Sequence, residues 1–401
     1  MMDDFELTEQ QRAFQTLARE FAQRHIKPIA AKIDRMDVKE SFPWNMLKEA
    51  HKIGLKTLCL PREYGGQQAD YLTQVIVMDE LAYVDVSCSK TISQCWKQPQ
   101  QIVGYGTKDQ KDRFLTAMRD EPTYMVAGAM TEPDYGSDNI LPYEGPEGGA
   151  KLSVKRKENG YVLNGTKHFI ALGGVASLYI VVGRTDTTVP VRKGTSRFLV
   201  PKDTPGFSIT RIHEKVGFRA YPNAQLSFED VYMPKENLLG GIENLDTTGG
   251  PTAGWNEIEL AGTAMGMTRA AFEAALDYAK QRVQGGKPII EHQSVAGLLA
   301  DMYMDLQAGR SLLWKTARAH SRGQIDRKLS LTCARFASKV VRRVTQDALS
   351  IFGGTGVMTE LSMEKYVRDS LIFIHLAEST MRQVKVGKLL AGWAPDEGLS
   401  E

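Results

Sequence analysis

The residues of this chain that could do chemistry fall into three small sets. Thr131, Gly136 and Ser137 lie on the turn Thr131-Glu132-Pro133-Asp134-Tyr135-Gly136-Ser137-Asp138, after a short apolar run at 124–130. Short side chains and a glycine there let backbone N–H groups approach an anionic ligand, although an ordinary glycine turn with a capping serine would look the same. Arg282 and the pair Gly353-Gly354 form the second set. A single helix arginine is most often a surface residue, and paired glycines can simply end a helix. The third set is acidic. Glu378 precedes Arg382 at the spacing of an exposed helical ion pair, and Glu257 lies where a helix N-terminus would favour any carboxylate. Cys59, Cys88, Cys95 and Cys333 form no C-x-x-C pair, and the histidines form no H-x-H or H-E-x-x-H, so no built-in metal site is expected.

These sets need elements to hold them. Thr8-Glu9-Gln10-Gln11 reads as a capping box, followed by a helical stripe of Phe14, Leu17, Phe21 and Ala22 that Pro28 should kink or end. Helical periodicity resumes over 71–84, 89–103 and 108–118. Near Pro122 the pattern changes to short runs. Two alternating segments within 152–164 meet at Glu158-Asn159-Gly160, a hairpin signal, and strands are expected over 177–182, 198–201 and 225–231. Helical period returns after Gly241, for example at Val295, Leu298, Leu299, Met302 and Leu306. The expected organisation is α+β: an N-terminal helical domain (1–121), a middle β domain of antiparallel barrel or sandwich type (122–236) and a C-terminal helical bundle (237–401). Helices and strands are segregated rather than alternating, which argues against a dinucleotide-binding βαβ fold.

Composition narrows the class. The chain has 401 residues, 42% hydrophobic and 24% charged, with a formal charge of +2. That is enough chain to bury a cofactor, and too balanced a charge to claim nucleic acid or membrane. The start, Met1-Met2-Asp3-Asp4-Phe5-Glu6, is acidic and unlike a leader, and no run of about 18 apolar residues occurs. A soluble, cytoplasmic protein is expected.

Met130-Thr131-Glu132-Pro133-Asp134-Tyr135-Gly136-Ser137-Asp138 closely resembles the T-E-P-x-x-G-S-D signature of acyl-CoA dehydrogenases. Further marks follow in the same order as in that family: Asn164-Gly165-Thr166-Lys167, Lys215-Val216-Gly217-Phe218-Arg219 and Phe228-Glu229-Asp230-Val231-Tyr232-Met233-Pro234. Then come Arg282 with Gly286, Glu291-His292-Gln293, Phe352-Gly353-Gly354-Thr355-Gly356 and Arg368-Asp369. The resemblance implies FAD as cofactor, contacted by Met130, Thr131, Gly136, Ser137, Phe169 and Ala171. It also implies that Arg282, Gln293 and the Gly353-Gly354 turn reach the adenine dinucleotide of a neighbouring subunit's FAD, with Ser350, Ile351 and Thr380 as further cofactor contacts. A homotetramer or homodimer would follow. The implied reaction is α,β-dehydrogenation of an acyl-CoA, with a carboxylate taking the α-proton, flavin N5 taking the hydride and an electron-transfer flavoprotein taking the electrons.

The base is where the resemblance is least regular. Many family members carry Y-E-G-T, and Leu376-Ala377-Glu378-Ser379-Thr380 offers Glu378 in that role. An ungapped count from Arg368-Asp369 instead puts Ala377 at the glutamate. A subset of the family, including isovaleryl-CoA dehydrogenase, places the base before Leu260-Ala261-Gly262; there the count reaches Asn256, with Glu257 and Glu259 adjacent and Glu257 the second candidate. Ala171 stands where a flavin-donating threonine is usual. Tyr135 and Tyr221 replace small residues, and Thr247 to Trp255 lacks an expected acid. These departures keep a flavin monooxygenase, oxidase or lyase on the same scaffold open as alternatives. A non-catalytic, DNA-associated flavoprotein is the third reading, disfavoured by the near-neutral charge.

Overall fold

The computed structural model describes residues 6–136, 145–245 and 254–393. Seven helices come first: α1 (Glu9–Phe21), α2 (Lys27–Arg35), α3 (Trp44–Lys52), α4 (Tyr71–Val84), α5 (Val86–Lys97), α6 (Pro99–Tyr105) and α7 (Lys108–Asp120). The capping box is present, with Thr8 and Gln11 satisfying each other's backbone N–H. Pro28 does not end the first helix. It sits in the first turn of α2, where its missing N–H is not needed, and a π-turn at Ala22–Ile26 joins α1 to α2. α4 is buried on every face from Leu72 to Ala82, including Asp79 and Glu80, whose carboxylates pair with Arg310 and Arg19. α5 is buried from Val86 to Trp96 although seven of its twelve residues are polar.

Among the described residues the middle of the chain forms one sheet of seven strands: β1 (Val126–Ala129), β2 (Ser153–Lys157), β3 (Gly160–Ala171), β4 (Leu178–Arg184), β5 (Thr195–Pro201), β6 (Phe207–His213) and β7 (Asn223–Pro234). Their order is β1-β4-β2-β3-β7-β6, with β5 paired to β4. Pairing is mostly antiparallel, but β1 runs parallel to β4. The expected hairpin is formed by β2 and β3, with Lys157 opposite Gly160. β6 was not legible in the sequence. It is an edge strand, largely solvent-facing, and a register shift between Ile209 and Arg211 breaks its alternation. The sheet is fastened to the first helices by a core of Leu60, Ile102, Phe114, Leu115, Val126, Leu178, Ile180 and Leu199.

The remaining chain is a helical bundle of α8 (Trp255–Gln281), α9 (Gln293–Ser321), α10 (Arg327–Phe352), α11 (Met363–Leu376) and α12 (Thr380–Leu390), with a short hairpin of β8 (Val283–Gln284) and β9 (Lys287–Pro288) between α8 and α9. α8 is the central post, and one continuous core joins it to α4, α9, α10 and α11. Among the described residues no helix is long and apolar enough to cross a membrane.

Several motif residues turn out to join these parts. Asp369 Oδ1 accepts the Phe218 N–H at 2.7 Å, and Lys365 Nζ bridges Asp369 and Asp85 at 2.6 and 2.7 Å. Arg368 binds Asp34, Glu364 and the Val216 carbonyl. A Cβ on Gly217 would lie 2.6 Å from the Arg368 carbonyl oxygen, so this contact between the sheet and α11 requires glycine.

Candidate active site

The strand end at Met130-Thr131 is clamped from below. Glu132 is buried and accepts the Lys151 and Leu152 N–H groups at 2.6 and 3.0 Å. Lys167, on β3, is fully buried and donates to Glu132 at 2.7 Å and to the Met130 carbonyl at 2.8 Å. Burial pushes the Lys167 ammonium down to about 8 against the pull of Glu132. The glutamate of the first motif and the lysine of Asn164-Gly165-Thr166-Lys167 therefore act as a pair, 35 residues apart. They fix the turn that carries Thr131 and Gly136; a Cβ added at Gly136 would meet nothing within 4 Å.

A second strand end is brought beside the first. The His168 N–H donates to the Thr131 carbonyl at 2.8 Å. The β3–β7 register slips between Lys167 and Ile170, so His168 and Phe169 leave the ladder. Phe169 takes a φ of +55° and stays 56% exposed, and Met130 is 36% exposed. Ala171 follows at the end of β3, opposite Asn223. Met130, Thr131, Gly136, Phe169 and Ala171 thus share one region with open apolar surface and reachable backbone. Large apolar side chains held in water are costly unless something flat covers them, and an isoalloxazine ring would fit there. Ser137 lies outside the described residues.

The other expected cofactor contacts sit at one end of the bundle. Tyr278 near the end of α8 stacks on Phe352 at the end of α10, with ring centroids 4.1 Å apart and planes 15° from parallel. That stack brings Arg282, four residues beyond Tyr278, to the same end as Ser350, Ile351, Gly353 and Gly354. The Ile289 N–H returns to the Arg282 carbonyl at 2.8 Å and leads into α9, which starts with Gln293. Arg282, Gln293, Gly353 and Gly354 are all exposed, and Gly353 has a φ of +60°. This end carries a cation, an amide and open backbone, the donors a dinucleotide needs.

The two candidate acids flank the turn between α11 and α12. Glu378 carries its carboxylate to Arg342 on α10, in a close ion pair, with 17% of its side chain exposed. Its N–H donates to the Phe373 carbonyl at 3.2 Å, and its own carbonyl accepts from Arg335 at 2.6 Å. Glu378 does not pair with Arg382. Arg382 caps the Leu376 carbonyl and lies 3.7 Å from Glu257, whose side chain is 16% exposed. Ala377 is buried among Leu260, Ala334 and Leu376. Thr380 begins α12 and is exposed.

Two residues beyond Glu257, at Glu259, the chemistry becomes denser than the sequence suggested. A cavity of about 210 Å³ opens between the end of β1 and the start of α8, bordered by Gly128, Met130, Lys97, Arg197, Trp255 and Asn256. Gln98 packs so closely on Gly128 that a Cβ there would lie 2.6 Å from its amide oxygen. Behind this wall Glu259 is fully buried and forms an ion pair with Lys90; Ser93 Oγ donates to it at 2.5 Å and Lys97 Nζ lies 3.7 Å away. Burial alone would raise the Glu259 carboxyl, but Lys90 and Lys97 outweigh it and hold it below the ordinary range. The same burial brings Lys90 down to about 8. Tyr221 continues the network, its hydroxyl 3.1 Å from Gln94. Sequence reasoning passed over Lys90, Ser93, Gln94 and Lys97. The available signal was a 12-residue helix, α5, whose polar face carries Lys90, Ser93, Gln94 and Lys97 opposite an apolar face of Cys88, Ile92, Cys95 and Trp96.

Fold and site together define a flavoprotein of the acyl-CoA dehydrogenase type. The family models for the N-terminal, middle and C-terminal domains of acyl-CoA dehydrogenase match residues 8–121, 127–231 and 252–376, and the chain belongs to that family. It is an FAD-dependent oxidoreductase. The last match ends at Leu376, immediately before Ala377 and Glu378. Acryloyl-CoA reductase (NADH) of Anaerotignum propionicum is 34% identical over 92% of this chain and 91% of its own length. Butyryl-CoA dehydrogenase of Megasphaera elsdenii superposes with a TM-score of 0.87 at 31% identity, over 96% of this chain and 99% of that one. A chain solved with the electron transferring flavoprotein of Acidaminococcus fermentans, in work on flavin-based electron bifurcation, gives 0.88 at 30% identity, again over 96% and 99%.

Proposed function

We propose that this protein dehydrogenates an acyl-CoA thioester at Cα–Cβ, with Glu378 as the base and Glu257 as the second candidate. The observation that supports this most is one cavity shared by the Met130 strand end and the start of α8, the helix whose Leu260 packs against Ala377 next to Glu378. FAD, when bound, supplies the hydride acceptor. The chain's own part is to hold the thioester so that Cα faces a carboxylate and Cβ faces the Met130–Phe169 surface. It also keeps water from the cavity, whose apolar walls are interrupted by Lys97, Arg197 and the amide groups. Glu378 must exchange its Arg342 partner to take a proton, so substrate entry and release of that ion pair are coupled. Electron-transfer flavoprotein is the proposed acceptor. A homotetramer or homodimer is proposed because the Arg282, Gln293, Gly353 and Gly354 end would serve a neighbouring subunit's cofactor.

The test is substrate bleaching of the flavin. Glu378→Gln should abolish bleaching by acyl-CoA with FAD still bound, and Glu257→Gln should leave most of it. Loss only in Glu257→Gln would move the base to α8, and full bleaching in both variants would refute proton abstraction by either residue.

A second reading, an oxidase, monooxygenase or lyase on this scaffold, is favoured by Ala377 in the core, Ala171 on β3 and the engagement of both the carboxylate and the N–H of Glu378. Rapid reoxidation of reduced, product-bound flavin by air, or a hydroperoxide-like absorbance, would select it over the dehydrogenase.

A further inference from the structure

The cavity wall carries more positive than negative charge. Lys90 and Lys97 face a single carboxylate, Glu259. Glu259 is taken up at close range by Lys90 and by Ser93, which leaves Lys97 at 3.7 Å from it and tied directly only to a neutral group, the Asn256 Oδ1 at 2.7 Å. Lys97 is also the member of the trio that reaches the cavity, with 20% of its side chain exposed. None of the residues bordering the cavity is acidic. Trp255 adds a buried Nε1–H with no acceptor among the described residues. An ammonium at the edge of an apolar pocket, with amide and indole donors beside it, is the arrangement that receives an anionic oxygen group. A neutral acyl chain placed there would desolvate Lys97 with only the shared Glu259 carboxylate, 3.7 Å away, to answer its charge, which disfavours such a chain against an anionic one.

We propose that Lys97, supported by Asn256 and backed by the Lys90–Glu259 pair, is an anion subsite for the thioester substrate. This rests on the acyl-CoA reading above. The anion has two possible sources with one chemistry: a carboxylate on the acyl group, as in a dicarboxylyl thioester, or a phosphate of the coenzyme A. In that arrangement Lys90 is a positioning residue. It holds Glu259 so that Lys97 is turned towards the cavity rather than neutralised within the helix pair.

The experiment titrates the FAD-loaded, full-length enzyme and reads the flavin absorbance change. The probes are glutaryl-CoA, butyryl-CoA, hexanoyl-CoA and the pantetheine thioesters of glutarate and butyrate. With a carboxylate source, glutaryl thioesters bind at least tenfold more tightly than butyryl thioesters on either carrier, and Lys97→Met removes that preference while Lys97→Arg keeps most of it. With a phosphate source, Lys97→Met weakens every CoA thioester by a similar factor and leaves the pantetheine thioesters unchanged. Either pattern supports the subsite. Unchanged affinities in Lys97→Met for all five probes, in a variant with wild-type flavin content and melting temperature, overturn it. A wild-type flavin that responds to no thioester at all refutes the acyl-CoA reading, and the subsite with it.

Discussion

The ion pair between Lys90 and Glu259 offers the sharpest test of how this site is built. Both side chains are at most 2% exposed, so deleting one leaves the other charged and dry. Breaking a buried pair in this way costs about 3–5 kcal/mol. Here the lower half of that range is expected for Lys90→Met. Lys97 remains 3.7 Å from the Glu259 carboxylate, and at an effective dielectric of about 20 that separation is worth up to about 4 kcal/mol before solvent at Lys97 screens it. Glu259→Leu should cost more, since it leaves two ammoniums facing each other with no anion between them. Unfolding entropy is about 2.1 cal/mol/K per residue. Over 401 residues, a loss of about 3 kcal/mol then lowers Tm by about 4 °C, and a loss of about 5 kcal/mol lowers it by about 6 °C. The double variant Lys90→Met/Glu259→Leu restores an apolar interior and should lie closer to wild type than Glu259→Leu does. The assay is scanning calorimetry of all four proteins at one scan rate, with flavin content matched. If the double variant is destabilised by the sum of the two single losses, the residues are not coupled and this account of the site is wrong.

Two further outcomes follow from the same structure. Lys56 is fully buried and donates to the Met118 and Glu121 carbonyls at 3.0 and 2.7 Å, capping α7, and burial brings its ammonium down to about 8. Its folded value lies below the unfolded one of about 10.4, so the unfolded chain holds more protons between the two and stability from this group rises with pH across that window. The stability gap between wild type and Lys56→Met should therefore widen by about 2 kcal/mol from pH 7.5 to pH 10; a constant gap in denaturation midpoints would contradict it. Ala171→Thr places a hydroxyl at the end of β3 beside the Phe169 bulge. It should shift the flavin reduction potential and slow reaction with oxygen, measured by spectral redox titration and stopped flow, and identical values would remove position 171 from the flavin's surroundings.

Much of the fold was legible because its causes are local. A capping box, the apolar run Val75-Ile76-Val77-Met78 within α4 and the Glu158-Asn159 turn each depend on residues within a few positions of one another, and the structure contains all three. The edge strand β6 was not legible, since one-sided pairing and a bulge erase the alternation that marks a strand. Pro28 marked an interruption without fixing its form: the α-helix stops at Phe21, a π-turn spans Ala22–Ile26, and Pro28 sits in the first turn of the next helix.

For the candidate site, residue types and order along the chain were enough to single out Thr131, Gly136 and Phe169, which belong to short motifs beside the Glu132–Lys167 pair. The charged half was decided only by tertiary packing. Ser93 and Glu259 are 166 residues apart, Arg342 and Glu378 are 36 apart, and no periodicity relates them. A carboxylate's partner depends on which side chain three-dimensional packing brings within about 3 Å, and electrostatic energy changes steeply over that distance in a dry interior. Sequence could therefore name the acids, while only the folded chain could show that Arg342 holds Glu378, that Arg382 lies beside Glu257, and that two lysines converge on Glu259.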